Sequence, residues 1–525
     1  MLHTTFSRRT ALAAAALGTA AAVVGCSTTT PDQESQTTST PNTRVPLPTY
    51  IPSPTAPKPD LPGSIDLMAA YLTYPKDRPA SVADPAVPKG TTISVFGTQA
   101  QAVVPFAKNP LWQRIAEDMG GAVLDFRSVP SPTEQVQKLQ TMIAGQDLPD
   151  IVQLANIPRL PEVLESRFAD LTEHLSGDAV ADYPNLAALP TWAWTSSVYN
   201  NRIYTLPIVR GKLGNIPIIR SDAFRDAGSP TLTNGEDFRA LCRDVTRPSA
   251  QRWAIGQSPA AFAGMIAGMM GGPNGWAVDD KGVFTHMWET DEFAAALEQA
   301  RAMYLDDKVF HPDAAAGVDQ QAGFASGSMV LQYASYAVWP FLLRTYPDSA
   351  PTSFPLPRWD GGGPAAQPLL TKPFQFSGIA QAEPDRIKQL LRALDYWAAP
   401  FGTKEHAFTN DLHTDDERAQ APSPVSTVIS AAPTVYLPGE PDAAKDLYQV
   451  QEGAVPGGVV DASVGLYSAT AIAKGPAIDR EAADQINGVT LGRIDPAQWP
   501  AAMDRWRANG GDKIREEYQE AHAAR

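Results

Sequence analysis

Short β-branched and apolar runs alternate with longer amphipathic segments along the middle of the chain. The first run, residues 91–97, is rich in Thr, Ile and Val and stops at a glycine, which is typical of a strand. The pattern then predicts a helix over 109–119, a strand over 122–127, a helix over 132–144 and a strand over 150–154. Alternation of this kind predicts an α/β fold in which helices cover parallel strands.

The polar residues that follow these strands are the first candidates for ligand contacts. Ligands of open α/β sheets bind beyond the C-terminal ends of the strands. Thr98 and Gln99 follow the first strand, and Asn156 follows the strand over 150–154, so we predict that these side chains contact a ligand; solvation of loops is the alternative. A further strand is predicted over 328–332, and further helices over 221–226, 234–245, 291–306, 384–399 and 495–523.

The length of the chain predicts more than one core, and its charge argues against two classes of binding partner. The chain has 525 residues, of which 43% are hydrophobic. Single cores stop growing at roughly 250–300 residues, so we expect two lobes. The formal net charge of −15 gives the chain no general electrostatic attraction to nucleic acid or to anionic lipid.

The N-terminus has the pattern of a bacterial export signal. Arg8 and Arg9 precede an apolar, Ala-rich run over 11–24, which is too short to span a bilayer. The paired arginines resemble a twin-arginine signal. Val23, Val24 and Gly25 precede Cys26 and resemble a lipobox, which implies that Cys26 becomes the acylated first residue of the mature protein, with a palmitate-type chain on its amine. The alternative is a leader that contains an incidental cysteine.

A tether is predicted between this signal and the folded part. Residues 27–62 are rich in Thr, Ser, Gln and Pro, and proline favours extended polyproline conformation. Residues 63–90 are ambiguous and can instead wrap around the domain. Cys242 is the second of two cysteines, so no internal disulfide is expected if Cys26 is acylated, and its helical context predicts a buried structural thiol.

A series of ordered landmarks carries a resemblance to a known family. From Thr91 to Arg525 the chain resembles the family 1 extracellular solute-binding proteins of ABC importers, in the long lipoprotein branch of oligosaccharide type. The landmarks are segments 143–151 (IAGQDLPDI), 168–172 (FADLT), 201–207 (NRIYTLP), 218–222 (IIRSD), 230–233 (PTLT), 327–330 (GSMV), 394–397 (LDYW) and 509–513 (NGGDK).

The resemblance implies a two-lobe, periplasmic-binding-protein-like fold of type II, with a hinge and an interlobe cleft. It implies that the chain first crosses between lobes near 204–210 and returns near 373–380. The resulting domain prediction is a signal peptide over 1–26, a tether over 27–90, lobe one over 91–206, lobe two over 207–373, a return to lobe one over 374–400, and a C-terminal region over 401–525 that packs across both lobes.

The resemblance also implies a function. The protein is expected to bind a carbohydrate, most simply an oligosaccharide, in the interlobe cleft and to deliver it to the transmembrane subunits of an ABC permease. It is expected to act as a monomer at the extracellular face of the bacterial membrane, without a cofactor or a nucleic-acid partner. The alternatives are a secreted carbohydrate-active hydrolase and a lipoprotein that binds peptides or another solute.

Aromatic residues in the second lobe are the strongest candidates for the ligand site. Sugars present apolar C–H faces and hydroxyl edges, so their sites need aromatic rings and polar side chains. By resemblance, Tyr336 and Trp339 would stack on the ligand and Ser335 would bond to it; packing against the following helix is the alternative for Trp339. Trp276 lies in a loop rich in Gly and Pro, where ligand contact and core packing are equal readings.

Two further candidates lie near the expected hinge and late in the chain. Arg210 follows the segment 206–209 and could bind hydroxyls or a carboxylate, or form a salt bridge at the hinge. Tyr467 resembles the late position from which the family adds an aromatic side chain to the cleft.

Enzyme signatures are missing from the sequence. The histidines show no HExxH or Cys-His metal spacing, and no Gly-x-Ser-x-Gly motif occurs. A glycoside hydrolase needs two carboxylates about 5–10 Å apart, a separation that sequence cannot give. The resemblance carried by the ordered landmarks, together with the predicted lipid tether, favours a binding protein over an enzyme.

Overall fold

Strands and helices alternate from Thr92 onward in the computed structural model, which describes residues 45–53, 56–76, 87–373, 375–401 and 421–524. The strands are β1 (Ala69–Tyr71), β2 (Thr92–Thr98), β3 (Val123–Val129), β4 (Ile151–Gln153), β5 (Val198–Tyr199), β6 (Arg202–Ile203), β7 (Leu206–Ile208), β8 (Asn215–Arg220), β9 (Trp253–Ile255), β10 (Trp276–Val278), β11 (Phe284–His286), β12 (Met329–Ser335), β13 (Pro351–Thr352), β14 (Gln375–Ile379) and β15 (Thr434–Tyr436).

Helices follow most of these strands, and six of them agree with predicted helices to within two residues at either end. They are α1 (Pro110–Asp118), α2 (Pro132–Gly145), α3 (Leu160–Arg167), α4 (Thr172–Leu175), α5 (Pro184–Ala187), α6 (Ser221–Asp226), α7 (Gly235–Val245), α8 (Pro259–Met269), α9 (Asp291–Leu305), α10 (Gln320–Ser326), α11 (Val338–Thr345), α12 (Pro384–Trp397), α13 (Pro441–Ala454), α14 (Ala469–Ala473), α15 (Gly475–Thr490), α16 (Trp499–Trp506) and α17 (Asp512–Ala523). Among the described residues, no helix has both the length and the apolar character needed to span a bilayer.

Polar caps fix several helix starts. The side chain of Asn109 accepts from the backbone N–H of Trp112 at the start of α1, and that of Asn234 accepts from Asp237 at the start of α7. Such bonds satisfy N–H groups that have no partner inside the helix. The predicted single helix over 495–523 is wrong, because Gly510 has a non-helical backbone conformation between α16 and α17.

Two separate sheets organise the two lobes. The sheet of lobe one has five strands in the order β3-β2-β4-β14-β7, with β2 parallel to β3 and β4 and with β14 antiparallel to its neighbours. The sheet of lobe two has four strands in the order β13-β8-β12-β9, with β9 parallel to β12. Each lobe has buried apolar clusters of its own, as the length of the chain predicts.

The hinge consists of chain segments that cross between the two sheets side by side. In lobe one, β7 pairs antiparallel with β14. Just beyond β7, Leu213 pairs antiparallel with Leu369, and the N–H of Leu370 donates to the carbonyl of Lys212 at 2.7 Å. The Oγ of Ser430 accepts from the N–H of Val209 at 2.9 Å, so a third segment is fastened to the first one at this point.

The C-terminal region divides between the lobes. Residues Val425, Val428 and Ile429 are buried in the core of lobe one. Helices α15 and α16 pack in the core of lobe two, where α15 contacts α8 and α9. The thiol of Cys242 is buried in the same core, and burial raises its pKa.

The predicted tether over 27–90 is wrong for the described residues 45–53 and 56–76, which lie against the folded body. The N–H of Ile51 donates to the carbonyl of Ala187 in lobe one at 2.8 Å. Strand β1 pairs parallel with β15, and the side-chain amide of Gln451 bonds both the N–H and the carbonyl of Met68. A proline-rich segment that bonds folded neighbours through its remaining N–H groups is part of the fold, and we call residues 45–53 and 56–76 the strap.

Candidate functional site

A pocket of about 310 Å³ lies at the edge of the lobe-two sheet that faces the hinge, and we call it the hinge pocket. Strands β9 and β12 are parallel and end at this edge, whereas the antiparallel β8 begins there. The pocket is lined by residues 214–215, 272–275, 368–370, Gln257, Ala261, Gly264, Met265, Gly268, Met287, Tyr333, Ala366 and Val459. None of the described residues that line it has a charged side chain.

The polar side of the hinge pocket is built by a bond that extends the sheet. The side chain of Gln257, two residues after β9, accepts from the N–H of Tyr333 at 2.7 Å and donates to its carbonyl at 2.8 Å. The side-chain amide thereby makes the pair of bonds to Tyr333 that the backbone of a neighbouring strand would make. It fixes the backbone position of Tyr333, whose half-buried ring lines the pocket and whose pKa is raised by burial.

Asn274 ties the pocket to the hinge. Its Nδ2 donates to the carbonyl of Leu369 and to that of Val459, both at 3.1 Å. Leu369 belongs to a crossing segment, and Val459 leads into the C-terminal helices. A single side chain of lobe two therefore holds two other parts of the pocket wall in place.

The apolar side of the pocket is open because one face of α8 carries small residues. Ala261, Gly264 and Gly268 follow helical spacing, and a Cβ built on Gly268 would meet no atom within 4 Å. Glycine inside a helix costs about 1 kcal/mol relative to alanine. Met265 and Met287 add flexible apolar surface. The arrangement suits an uncharged molecule with both apolar faces and hydrogen-bonding groups.

The predicted residues of lobe one lie at the strand ends, as expected, but two of them are bonded within the protein. The N–H and the Oγ1 of Thr98 donate to Gln153 Oε1 at 2.6 and 3.0 Å. Gln99 Nε2 donates to the carbonyl of Ser423 at 3.2 Å. Asn156 is exposed. The segment that contains Ser423 lies so close to β2 that a Cβ on Gly97 would overlap Thr427 Oγ1.

Arg210 lies beside the hinge and is exposed. It lines a second cavity, under the strap, together with Trp192 and Lys212, and it does not line the hinge pocket. Partial desolvation lowers the pKa of its guanidinium. Lys212 forms an ion pair with Asp66 of the strap at 2.6 Å, so this cavity belongs to the contact between strap and hinge.

Tyr336 and Trp339 are corrections to the predicted site, because both rings are buried in the core behind the lobe-two sheet. Trp339 is 1% exposed and Tyr336 is 7% exposed, and the Tyr336 hydroxyl donates to the carbonyl of Leu447. Buried rings of this kind offer no face to a ligand in this conformation. Ser335 is half-buried, and its Oγ accepts from the N–H of Ala337.

Trp276 also has a core environment. It is 7% exposed and contacts the rings of His286, Trp506 and Tyr518, with centroid distances of 4.9 to 6.0 Å. The preceding residues 272–275 line the hinge pocket, whereas Trp276 itself does not. The structure therefore favours core packing for this side chain.

Tyr467 is the predicted residue that comes closest to residues of both lobes. Its pKa is raised by burial and by the charges of Glu162 in α3 and Glu517 in α17. The neighbouring Tyr199 of lobe one likewise has a pKa raised by burial and by Tyr467. Tyr467 thus lies where lobe one meets the C-terminal region, and its role in ligand binding remains a prediction.

Gln257, Tyr333 and Asn274 were missed by the sequence reasoning. A signal for Gln257 and Tyr333 was present, because polar residues at the ends of parallel strands β9 and β12 meet at one edge of a sheet. No local signal marks Asn274, because its two partners lie 95 and 185 residues away. The described residues contain no group of three or more His, Cys, Asp or Glu that could hold a metal ion, and Cys26 lies outside them.

One family model matches part of the chain. Residues 113–340, less than half of the chain, match the family model described as bacterial extracellular solute-binding protein. No curated protein sequence matches the chain.

Solved structures of solute-binding proteins share the fold across most of this chain. An HMO-binding ABC-transporter-associated solute-binding protein from Bifidobacterium longum infantis has a TM-score of 0.62 at 11% identity, covering 83% of this chain and 99% of that one. The ABC substrate-binding protein Lmo0181 from Listeria monocytogenes, in complex with cycloalternan, has 0.53 at 14%, covering 81% and 100%. The GacH receptor of Streptomyces glaucescens, solved with acarbose, has 0.51 at 16%, covering 81% and 99%. The chain therefore has the periplasmic-binding-protein-like fold.

We predict that replacing Trp339 lowers the stability of the protein, whereas replacing Tyr333 weakens ligand binding. Replacing Trp339 by Ala should lower the free energy of unfolding by about 3–5 kcal/mol, because it empties a buried site, and should leave ligand affinity unchanged. Replacing Tyr333 by Leu should weaken ligand binding about tenfold or more with a small change in stability. Denaturant unfolding measures the change in stability, and calorimetric titration measures the change in affinity. Weakened ligand binding with unchanged stability in the Trp339→Ala variant would instead place Trp339 in the ligand site.

Proposed function

We propose that this chain is the lipid-anchored, extracellular solute-binding protein of an ABC import system, and that it binds a carbohydrate between its lobes and delivers it to the permease. The observation that carries the proposal is the position of an uncharged pocket beside three crossing segments that join two α/β sheets. Ligand that contacts both lobes only in a closed form favours closure by its differential affinity. The closed form is then the one that a permease would recognise.

The chemistry of the hinge pocket favours a sugar over a charged solute. An amino acid or a peptide brings an ammonium and a carboxylate group, and burying these without charged partners is costly. The described lining instead supplies the amides of Asn215, Gln257 and Asn274, the ring of Tyr333 and apolar side chains. The sugar ligands of the similar structures, cycloalternan and acarbose, agree with this interpretation.

The export signal supports the proposed location. Cys26 follows a signal-like segment in a lipobox-like context.

The ligand class is tested by titrating the mature chain without its acyl-bearing Cys26 (residues 27–525) with a panel of neutral mono- and oligosaccharides, amino acids and short peptides. We expect calorimetric heat and a rise in melting temperature with at least one sugar, and neither effect with amino acids or peptides. Binding of a peptide or an amino acid with no response to any sugar would contradict the carbohydrate assignment. Hydrolysis of a bound glycan would contradict the assignment as a binding protein.

The anchor is tested by replacing Cys26 with Ser in the full-length chain expressed in a lipoprotein-processing bacterium. We expect the variant to appear in the medium of a Gram-positive host, whereas the unaltered chain stays with the membrane fraction, because the acyl chains are lost. Replacing Cys242 with Ser is the matched control and should leave localisation unchanged, since that thiol is buried. Retention of the Cys26→Ser variant on the membrane would disprove the anchor.

A further inference from the structure

A further cavity, of about 550 Å³ and distinct from the one under the strap, lies within lobe two and adjoins the hinge pocket. We call it the apolar cavity. Its walls are formed by the start of β8, the C-terminal end of α8, the chain after β13 and the C-terminal end of α13. Apolar side chains dominate the lining, among them Met269, Phe354, Leu356 and Val450. No described residue of lobe one lines it, so the closure of the two lobes does not create it.

The two cavities share two wall residues, Gly268 and Ala366. These are among the smallest residues in the chain, and a Cβ built on Gly268 would meet no atom within 4 Å. The wall between the cavities is therefore thin at this point. A ligand group that leaves the hinge pocket past Gly268 enters the apolar cavity directly.

Glycine also keeps the apolar cavity open at its mouth. Gly271, Gly453 and Gly457 line it, are exposed, and have no atom within 4 Å of the position of a Cβ. Gly453 is the penultimate residue of α13. The sequence thus has the least bulky residue at each of these points.

One buried polar group of the apolar cavity lacks a partner. Gln367 lines the cavity and is 8% exposed, and its Oε1 accepts no hydrogen bond from the described residues. Its neighbour Ala366 belongs to the wall shared with the hinge pocket. A buried acceptor without a partner is costly, and a hydroxyl placed near the junction of the two cavities would supply the missing donor.

We infer that the ligand of this protein is amphipathic: a sugar bound in the hinge pocket is joined to an apolar group, of alkyl or aryl type, that occupies the apolar cavity. The inference rests on the proposed function and specifies its substrate class. The volume of the cavity lies in the range of sites that hold whole small ligands. An alkyl or aryl group can be buried against this apolar lining, and a plain oligosaccharide has no such group.

The inference is tested with matched pairs of ligands. Glucose, galactose and maltose are each titrated into the mature chain as the free sugar and as the n-octyl β-glycoside, below the critical micelle concentration. Burial of each methylene should tighten binding about two- to fourfold, so we expect the octyl glycoside of the preferred sugar to bind at least tenfold more tightly than the free sugar. Shorter alkyl chains should give intermediate affinities.

A variant that narrows the mouth of the apolar cavity distinguishes binding of the alkyl chain in that cavity from its adsorption elsewhere on the protein. Gly453→Phe should remove most of the difference between the octyl glycoside and the free sugar, with unchanged affinity for the free sugar. Gly145→Phe is the matched control, because Gly145 is likewise an exposed glycine of a helix with no atom within 4 Å of a Cβ, and it lies in lobe one. The control should retain the full difference.

Two results would overturn the inference. One is equal affinity for the free sugar and its octyl glycoside, which would leave the proposed function intact. The other is an octyl glycoside that binds more tightly than the free sugar by the same factor in Gly453→Phe and in Gly145→Phe. The alkyl chain would then bind outside the apolar cavity. Absence of binding for every sugar and every glycoside would instead contradict the proposed function itself.

Discussion

The antiparallel pairing of the crossing segments is the constraint on which the rest of the structure depends. Residues 206–208 pair with 375–377 inside lobe one, and Leu213 pairs with Leu369 where the chain enters lobe two. Backbone hydrogen bonds thus join the two segments on both sides of the hinge. The hydroxyl of Ser430 bonds both the N–H and the carbonyl of Val209, which fastens the third segment to the same place. We expect motion of the lobes to be confined to the few residues between these contacts.

The hinge pocket takes its shape from the same segments. Leu369 is paired to Leu213 through its backbone and receives the side-chain bond of Asn274 through its carbonyl. A change in the path of the crossing segment therefore moves a wall of the pocket. The strap adds a further contact, since Asp66 is paired with Lys212 at the hinge and Ile51 is bonded to lobe one. The pocket and the angle between the lobes are in this way coupled through a few named bonds.

Much of the fold could be predicted from the sequence because its signals are local. Capping residues such as Asn109 and Asn234 mark helix starts, and β-branched runs mark β2 and β4. The strap could not be predicted in this way, since β1 pairs with β15 more than 360 residues later. Proline content indicated extended backbone correctly but carried no information about where the remaining N–H groups find acceptors.

The candidate site was predictable in its location and less so in its residues. The rule for the ends of parallel strands places ligand groups at the hinge-facing edge of each sheet, and the hinge pocket lies there in lobe two. Tyr333 and Tyr336 are only three residues apart, yet one lines the pocket and the other lies in the core. The difference arises where β12 ends and the chain turns into α11, and a one-residue uncertainty in that end exchanges their environments.

The most direct test of the central claim is small-angle X-ray scattering of the mature chain with and without a saturating ligand identified by calorimetry. The account predicts that ligand lowers the radius of gyration, because two lobes that turn about paired crossing segments close around their guest. An unchanged scattering profile at saturation, with binding confirmed in the same sample, would contradict it.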